Sequence, residues 1–268
     1  MIIRRDTFSM NAHHILDPGA QFRVPAKLCA LGIMTKAPQA GKVKTRLTPP
    51  LSPEEAAGLN VCFLRDLTTS IEKACKQSPA RGVGIYTPVG AEAAYGNILP
   101  ERFFLIPQRG DGFGERLVAA TKDLLTVGFE SICLINSDSP TVPAFSFAEA
   151  AKELLKPGDR IVLGPSDDGG YYLIGMKKLH RRLFEEIDWS TDRVFAQTMK
   201  RAAETGLEVH QLPSGFDVDD GVTLRRLCDE LLGEKSRSTT DIAPATRKFL
   251  SEIIEHEGRD RIWPEQNE

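Results

Sequence analysis

The sequence predicts an α/β fold with a mostly parallel central sheet and helices on both faces. Short apolar runs alternate with amphipathic stretches along residues 27–232, which is the rhythm of repeated strand–helix–strand units. No internal repeat or low-complexity linker interrupts this rhythm. Hydrophobic residues make up 41% of the chain and charged residues 26%, as in ordinary globular proteins.

The strands are predicted from short apolar runs bounded by glycine, proline or polar residues. The first run, LCALGIM, is apolar throughout and indicates a strand buried on both faces. The predicted strands cover residues 27–34, 82–87, 103–106, 131–136, 160–163, 171–176 and 207–212.

The helices are predicted from apolar spacing and from their start and stop signals. The first should begin with Ser52 as N-cap, Pro53 at the first helical position and Glu55 completing a capping box. Apolar residues then recur at helical spacing to about residue 76. Gly206 is placed to follow the end of a later helix. The other predicted helices cover residues 113–127, 145–155, 191–206, 219–232 and 244–257.

These elements predict one main domain with two additions. Residues 1–24 lack an apolar core of the kind that a secretory signal needs, and we expect a poorly ordered N-terminal extension. Residues 25–233 form the main α/β domain, and residues 234–268 form a C-terminal helical appendage reached through a polar connection.

Composition disfavours several function classes. The net charge is −3 and the sequence pI is near 6.0, so we expect neither a nucleic-acid nor a membrane partner. No apolar run approaches the roughly 18 residues that a membrane-spanning helix needs. The five cysteines are odd in number and lack a C-x-x-C pair, which predicts buried thiols in the cytoplasm. The five histidines show no zinc-ligand spacing.

Polar loops follow the predicted strands, and the carboxyl ends of parallel strands are where open α/β sheets bind ligands. The first loop, KAPQAGKVKTRL, holds Lys36, Gly41, Lys44 and Arg46 within twelve residues. It is not a P-loop, because it lacks the first glycine and has Val43 in place of Ser or Thr. The glycine-rich loop at residues 110–114 also lacks the last glycine of a dinucleotide fingerprint.

Three carboxylates are placed to reach the same edge of the sheet. Asp138 follows the strand at 131–136, and Asp217 and Asp219 alternate on an extended segment before a helix. Taken singly, Asp219 could cap that helix and Asp138 could bond its own turn. Opposite a basic loop, they instead favour a site for Mg²⁺ or Mn²⁺, since Mg²⁺ prefers carboxylates together with substrate phosphates.

Five motifs in this order resemble a known family. They are Lys44-Thr45-Arg46-Leu47, Asp138-Ser139-Pro140, residues 164–172 (GPSDDGGYY), Asp188-Trp189-Ser190-Thr191 and Asp217-Val218-Asp219-Asp220. Together they resemble the CofC-like group of the nucleotide-diphospho-sugar transferase superfamily, whose members are often labelled radical-SAM or selenodomain-associated transferases or arsenosugar-biosynthesis glycosyltransferases. The resemblance covers about residues 27–232 and implies a GT-A-like three-layer fold.

We therefore expect a Mg²⁺-dependent transferase whose partners are a nucleotide and a small-molecule acceptor. Lys44, Arg46 and Asp138 are the predicted catalytic residues, because they would position phosphates and offset their charge. The predicted nucleotide-binding residues are Lys36, Gly41, Gln108, Gly110 and Arg116, the predicted acceptor-binding residues are Asp167, Asp168, Gly169 and Gly170, and the predicted metal ligands are Asp138, Asp217 and Asp219.

Three functions stay open at this point. The favoured one is nucleotidyl transfer from an NTP to a phosphorylated or anionic acceptor, with release of pyrophosphate. The second is glycosyl transfer from an NDP-sugar, with Asp167 or Asp168 as base. The resemblance to GT-A enzymes implies an Asp-x-Asp at the metal site, but Asn136 stands where its first Asp should be, which favours the first function. The third is a non-catalytic nucleotide-binding module. The oligomeric state is open, with a homodimer as one option.

Overall fold

The computed structural model describes residues 13–233 and 241–264. Within them a seven-stranded sheet has the order β3-β2-β1-β4-β6-β5-β7. The strands are β1 (Cys29–Lys36), β2 (Ala80–Thr87), β3 (Phe104–Pro107), β4 (Ser131–Ile135), β5 (Arg160–Pro165), β6 (Tyr171–Met176) and β7 (Glu208–Gln211). Only β6 runs against its neighbours β4 and β5, and the other pairs are parallel. The predicted mostly parallel sheet is confirmed.

Six α-helices surround the sheet. They are α1 (Pro53–Cys75), α2 (Phe113–Thr126), α3 (Ala144–Leu155), α4 (Val194–Glu204), α5 (Gly221–Leu232) and α6 (Pro244–Glu257). The predicted capping box of α1 is present, with the Ser52 side chain accepting from Glu55 N and the Glu55 carboxylate accepting from Ser52 N. Gly206 has the positive φ of 66° that its predicted place after α4 requires.

Two apolar layers sandwich the sheet, which makes the predicted three-layer arrangement. One layer joins the sheet to α1 and α3, for example through Leu67 and Phe147. The other joins its opposite face to α2 and α4, through Leu124 and Ala202 among others. In α2, for example, Leu117, Ala120 and Leu124 recur at helical spacing and are buried on one face.

A third apolar cluster lies away from the sheet, where α5 and α6 pack on α1. The buried Asp66 carboxylate of α1 accepts hydrogen bonds from Ala245 N and Thr246 N at 2.9 and 2.8 Å. This carboxylate satisfies two of the free N–H groups that the start of α6 leaves open. The predicted C-terminal helix is therefore fixed to the main domain. The predicted polar connection at 234–240 lies outside the described residues.

Residues 13–24 differ from the expected poorly ordered extension. Leu16 N donates to Leu105 O at 2.7 Å, so this segment adds a short parallel bridge at the β3 edge of the sheet. His13, Leu16 and Val24 are buried. Apolar side chains inside a stretch without clear periodicity hid this contact in the sequence. Residues 1–12 lie outside the described part of the chain.

Candidate functional site

The basic loop after β1 turns one lysine inward. Lys44 has φ 49° and ψ 36°, a left-handed conformation that is rare for a residue other than glycine. A short 3-10 turn, Thr45–Leu47, follows it and is anchored by Leu47, which is fully buried. The Lys44 side chain is only 5% exposed as a result, whereas Arg46 stays at the surface with 70% of its side chain exposed.

The Lys44 ammonium lies between two of the three predicted metal-binding carboxylates, Asp138 and Asp219. Its Nζ is 2.5 Å from Asp138 Oδ1 and 3.1 Å from Asp219 Oδ1, and it donates to Val218 O at 2.7 Å. Three acceptors match the three hydrogens of the ammonium. Burial lowers the pKa of Lys44, but the charges of Asp138 and Asp219 and their hydrogen bonds outweigh it and hold that pKa above its usual value.

This arrangement modifies the predicted role of Lys44. The sequence predicts that Lys44 binds phosphate. In the structure, Lys44 is instead the counter-ion of Asp138 and Asp219, which we call the acidic pair. Arg46 reaches one member of this pair from the surface, with its Nη2 2.7 Å from Asp219 Oδ2. The site therefore balances two carboxylates against two cations before any ligand binds.

Two loops bring the acidic pair together. Asp138 follows β4, and Val218 N donates to its carbonyl oxygen at 2.9 Å, which ties the segment before α5 to the end of β4. The possibility that Asp219 caps the following helix is wrong, because Asp220 is the N-cap and accepts from Thr223 N at 2.9 Å. The Asp219 carboxylate therefore does not cap the helix and faces the site, where it contacts Lys44 and Arg46.

Asp217 lies behind this pair in a polar pocket. Its Oδ1 accepts hydrogen bonds from Asn136 Nδ2, Ser139 Oγ and Ser166 Oγ at 2.8, 2.7 and 3.0 Å. Burial raises the pKa of Asp217 to about 6, the Ser139 and Ser166 hydroxyls oppose that rise, and the charges of Asp138 and Asp168 add to it.

The contact also explains Asn136, which stands where an Asp-x-Asp motif would place its first acid. An amide at this position donates to Asp217, and a carboxylate there would repel it. Asn136 thus supports an acid of the site rather than replacing one.

Two cavities meet at the acidic pair. The smaller, the basic cavity, has a volume of about 260 Å³, and the larger, the acidic cavity, has about 450 Å³. The basic cavity is lined by Lys36, Lys42, Val43, Lys44, Thr45, Arg46, Asn60, Ser137, Asp138 and Asp219. Arg46, Ser137, Asp138 and Asp219 line both cavities and form the wall between them.

The acidic cavity is lined by both carboxylates and apolar side chains. Five aspartates line it, namely Asp138, Asp168, Asp192, Asp217 and Asp219. Arg46 is the one cation among the described residues that line it. Phe113 and Trp189 form an edge-to-face pair, with ring centroids 5.1 Å apart, on its apolar side.

The predicted acceptor residues divide between this cavity and the surface. Asp168 and Gly170 line the acidic cavity. Gly169 has φ +85°, and a Cβ there would lie 2.1 Å from Asp192 O, so only glycine fits this loop. Asp167 lies apart, because it pairs with Arg226 Nη2 at 2.8 Å outside the lining of either cavity.

Among the predicted nucleotide-binding residues, Lys36 lines the basic cavity. Gln108 lies outside both cavities, and its amide donates to Thr35 O and Ile85 O at the ends of β1 and β2. Arg116 donates to Gly110 O at 3.2 Å. Arg116, Gly110 and Gly41 line neither the basic nor the acidic cavity. Cavity geometry gives no support to the roles of these four residues, which stay predictions.

Sequence reasoning missed several lining residues. Asn60, Ser137 and Asp192 line the cavities, as does the aromatic pair of Phe113 and Trp189. Asn60 carried a usable signal, since it is a polar residue beside Leu59 in the buried part of an amphipathic helix. Trp189 belongs to the Asp188-Trp189-Ser190-Thr191 motif of the family resemblance, although no site role was predicted for it. Ser137, Asp192 and Phe113 sit in loops or at a helix start, where spacing carries no such signal.

A divalent cation fits the acidic pair in charge and chemistry. Asp138 and Asp219 already share one ammonium group, so they are close enough to share a metal ion, and carboxylate oxygens suit Mg²⁺. Within residues 13–233 and 241–264, no group of three or more His, Cys, Asp or Glu side chains is preassembled for a metal. The remaining ligands would therefore come from substrate phosphates or water.

Comparisons with known proteins agree with this fold. Residues 70–191 match the family described as "Uncharacterized protein conserved in bacteria (DUF2064)". A structure from Desulfovibrio desulfuricans G20, provisionally assigned as a nucleotide-diphospho-sugar transferase, is 28% identical over 85% of this chain and 96% of that chain, with a TM-score of 0.73. A nucleotidyl transferase from Methanothermobacter thermautotroptrophicus matches 76% of this chain and 98% of its own, with 12% identity and a TM-score of 0.51.

No curated protein gives a significant match. The structural match to the Desulfovibrio desulfuricans G20 protein confirms the predicted fold class. Membership of the CofC-like transferase group stays a prediction. No helix among the described residues is long and apolar enough to cross a membrane.

Proposed function

We propose that this protein is a Mg²⁺-dependent nucleotidyltransferase that joins an NTP to a small-molecule acceptor and releases pyrophosphate. One observation carries the proposal. The acidic pair of Asp138 and Asp219 stands on the wall between a basic cavity and a larger one. Such a wall suits a reaction in which a polyphosphate on one side meets an acceptor on the other.

The basic cavity would hold the β- and γ-phosphates. Lys36, Lys42 and Arg46 surround it with positive charge, and Arg46 offers a fork that matches two phosphate oxygens. Asp138 and Asp219, with Asp217 behind them, would hold the metal ion, which supplies charge neutralisation for the phosphates when bound. Lys44 would then be released from the carboxylates toward the phosphate chain.

The transfer itself is an in-line displacement. An oxyanion of the acceptor forms a bond to the α-phosphorus, and the bond from that phosphorus to the bridging oxygen breaks. Pyrophosphate leaves with the electron pair of the broken bond. An acceptor that is already ionised needs no general base, so the protein contributes positioning and charge stabilisation.

The acidic cavity restricts how an anionic acceptor can bind. Its five aspartates repel a phosphate, and Arg46 is the one cation in its described lining. A phosphorylated acceptor would therefore place its anionic end at the shared wall, beside Arg46 and the metal site. The rest of the acceptor would extend toward Phe113 and Trp189.

Glycosyl transfer from an NDP-sugar is the second candidate. Asp168 favours it, because this carboxylate lines the acidic cavity and is a candidate base for an acceptor hydroxyl. The 28% identical structure carries a provisional nucleotide-diphospho-sugar transferase assignment, which is compatible with either reaction. Lysines around the smaller cavity favour a triphosphate over a diphosphate and keep nucleotidyl transfer first.

Ligand-induced stabilisation separates the candidates. Thermal unfolding would be followed with four NTPs and several NDP-sugars, each with and without Mg²⁺. We expect Mg²⁺-dependent stabilisation by at least one NTP, lost in Asp138→Asn and kept in the exposed control Glu101→Gln. Stabilisation by NDP-sugars alone would replace the proposal with glycosyl transfer. No Mg²⁺-dependent effect of either ligand class would favour a non-catalytic module.

A further inference from the structure

Asn60 is a buried polar residue that the proposed mechanism leaves unused. It lies on α1, is only 4% exposed and lines the basic cavity. Its Oδ1 atom is inaccessible to solvent and has no hydrogen-bond partner in the described structure. A buried polar atom without a partner destabilises a folded protein, and such atoms are uncommon.

The fold does not need an amide at this position. The preceding residue, Leu59, and Phe63 one turn later are fully buried apolar side chains of α1. Leucine has the same branching and the same number of side-chain heavy atoms as asparagine, and it would continue this apolar surface. Packing alone therefore does not explain a polar residue here.

The neighbouring lysine does not satisfy Asn60. All three hydrogens of the Lys44 ammonium are matched by Asp138, Asp219 and Val218 O. The cavity in front of Asn60 is lined by four cations, namely Lys36, Lys42, Lys44 and Arg46. Four cations around one cavity favour a ligand that is an anion with many oxygen acceptors.

We propose that Asn60 binds the phosphate chain of the nucleotide. Its Nδ2 is the hydrogen-bond donor of the amide and donates to a phosphate oxygen inside the basic cavity, which the side chain lines, while Oδ1 stays out of contact with solvent. The donor is neutral and fixed to a helix, so it selects the position of the phosphate, whereas the lysines supply charge. This inference rests on the proposed function, since it assumes that the basic cavity takes polyphosphate.

Two measurements on one set of variants test the role of Asn60. Binding of inorganic tripolyphosphate with Mg²⁺ is measured by calorimetry, and stability of the free protein is measured by urea unfolding. In Asn60→Leu we expect roughly ten- to a hundred-fold weaker binding, the effect of losing a hydrogen bond to a charged group. The free variant should be at least as stable as the parent protein, because its unpartnered atom is gone.

Asn60→Asp is the second variant and keeps the shape of the side chain. It replaces the donor with an acceptor and adds a negative charge, so tripolyphosphate binding should fall at least as far. Asn97→Leu makes the matched change at an exposed loop position and should bind like the parent protein.

The possible failures are distinguishable. Unchanged tripolyphosphate affinity in both Asn60 variants would overturn the role of Asn60 while leaving the proposed function standing. Loss of stability in Asn60→Leu with unchanged affinity would make the residue structural. A parent protein that binds neither tripolyphosphate nor any NTP would overturn the proposed function together with this inference.

Discussion

The Lys44 ammonium should stabilise the free protein as an internal counter-ion, and Lys44→Met tests this. Methionine keeps most of the length of the side chain and removes its charge. The change leaves Asp138 and Asp219 facing each other without the cation that now lies 2.5 and 3.1 Å from them. Breaking a buried ion pair by removing one partner costs about 3–5 kcal/mol.

That cost has to be reduced for solvent. The carboxylates of Asp138 and Asp219 are 30% and 36% exposed, so water compensates part of the lost contact. We expect a decrease of about 2–4 kcal/mol in the free energy of unfolding. For a domain of this size, each kcal/mol lowers Tm by roughly 2–4 °C.

The assay is urea unfolding in metal-free buffer and again with Mg²⁺. A divalent cation can replace the missing ammonium between the carboxylates, so Mg²⁺ should stabilise Lys44→Met more than it stabilises the parent protein. Lys42→Met is the control, because Lys42 is exposed in the same loop, and its effect should stay within about 0.5 kcal/mol. A Lys44→Met variant as stable as the parent, or one that gains nothing extra from Mg²⁺, would refute the reasoning.

Three further predictions concern other parts of the site and fold. Because the pKa of Asp217 is raised to about 6, this carboxyl keeps its proton in the folded protein at pH values where it has lost it in the unfolded chain, and its contribution to stability falls as pH rises from about 4 to 6. Asp217→Asn should remove this contribution, so that the variant gains stability over the parent protein as pH rises and is more stable by about 1–3 kcal/mol at pH 7; a stability difference in urea-unfolding titrations that does not change with pH would contradict this. Gly169→Ala should destabilise the protein by more than about 1 kcal/mol, because its Cβ would meet Asp192 O, and thermal unfolding equal to that of the parent would contradict this. Ser52→Ala should cost about 0.5–2 kcal/mol through loss of the α1 cap, to be checked by urea unfolding, and an unchanged midpoint would show that the cap contributes little.

Periodicity and capping chemistry predicted most of the fold. Ser52 and Glu55 mark the start of α1 as the structure has it, because a capping box depends only on neighbouring residues. Residues 13–24 were harder to place, since their contact with β3 depends on a strand about 90 positions away. Local sequence patterns carry no information on such a pairing.

The site was predictable in its location but not in its internal contacts. The ends of parallel strands meet at one edge of the sheet, which was enough to bring Asp138 and Asp219 together. The inward turn of Lys44 depends on a left-handed backbone conformation that its residue type disfavours. Asp220 rather than Asp219 became the helix cap, and adjacent residues of the same type gave no basis for choosing between them.

The contact between Lys44 and Asp219 joins residues 175 positions apart. Loop closure over that distance is slow and comes after the local structure has formed. The basic loop is synthesised early and Asp138 follows β4, but Asp219, the second negative partner, arrives only after β7, the last strand of the sheet. Under the proposed function, nucleotide binding during refolding should therefore report completion of the whole sheet, and a nascent chain should gain nucleotide affinity in one late step.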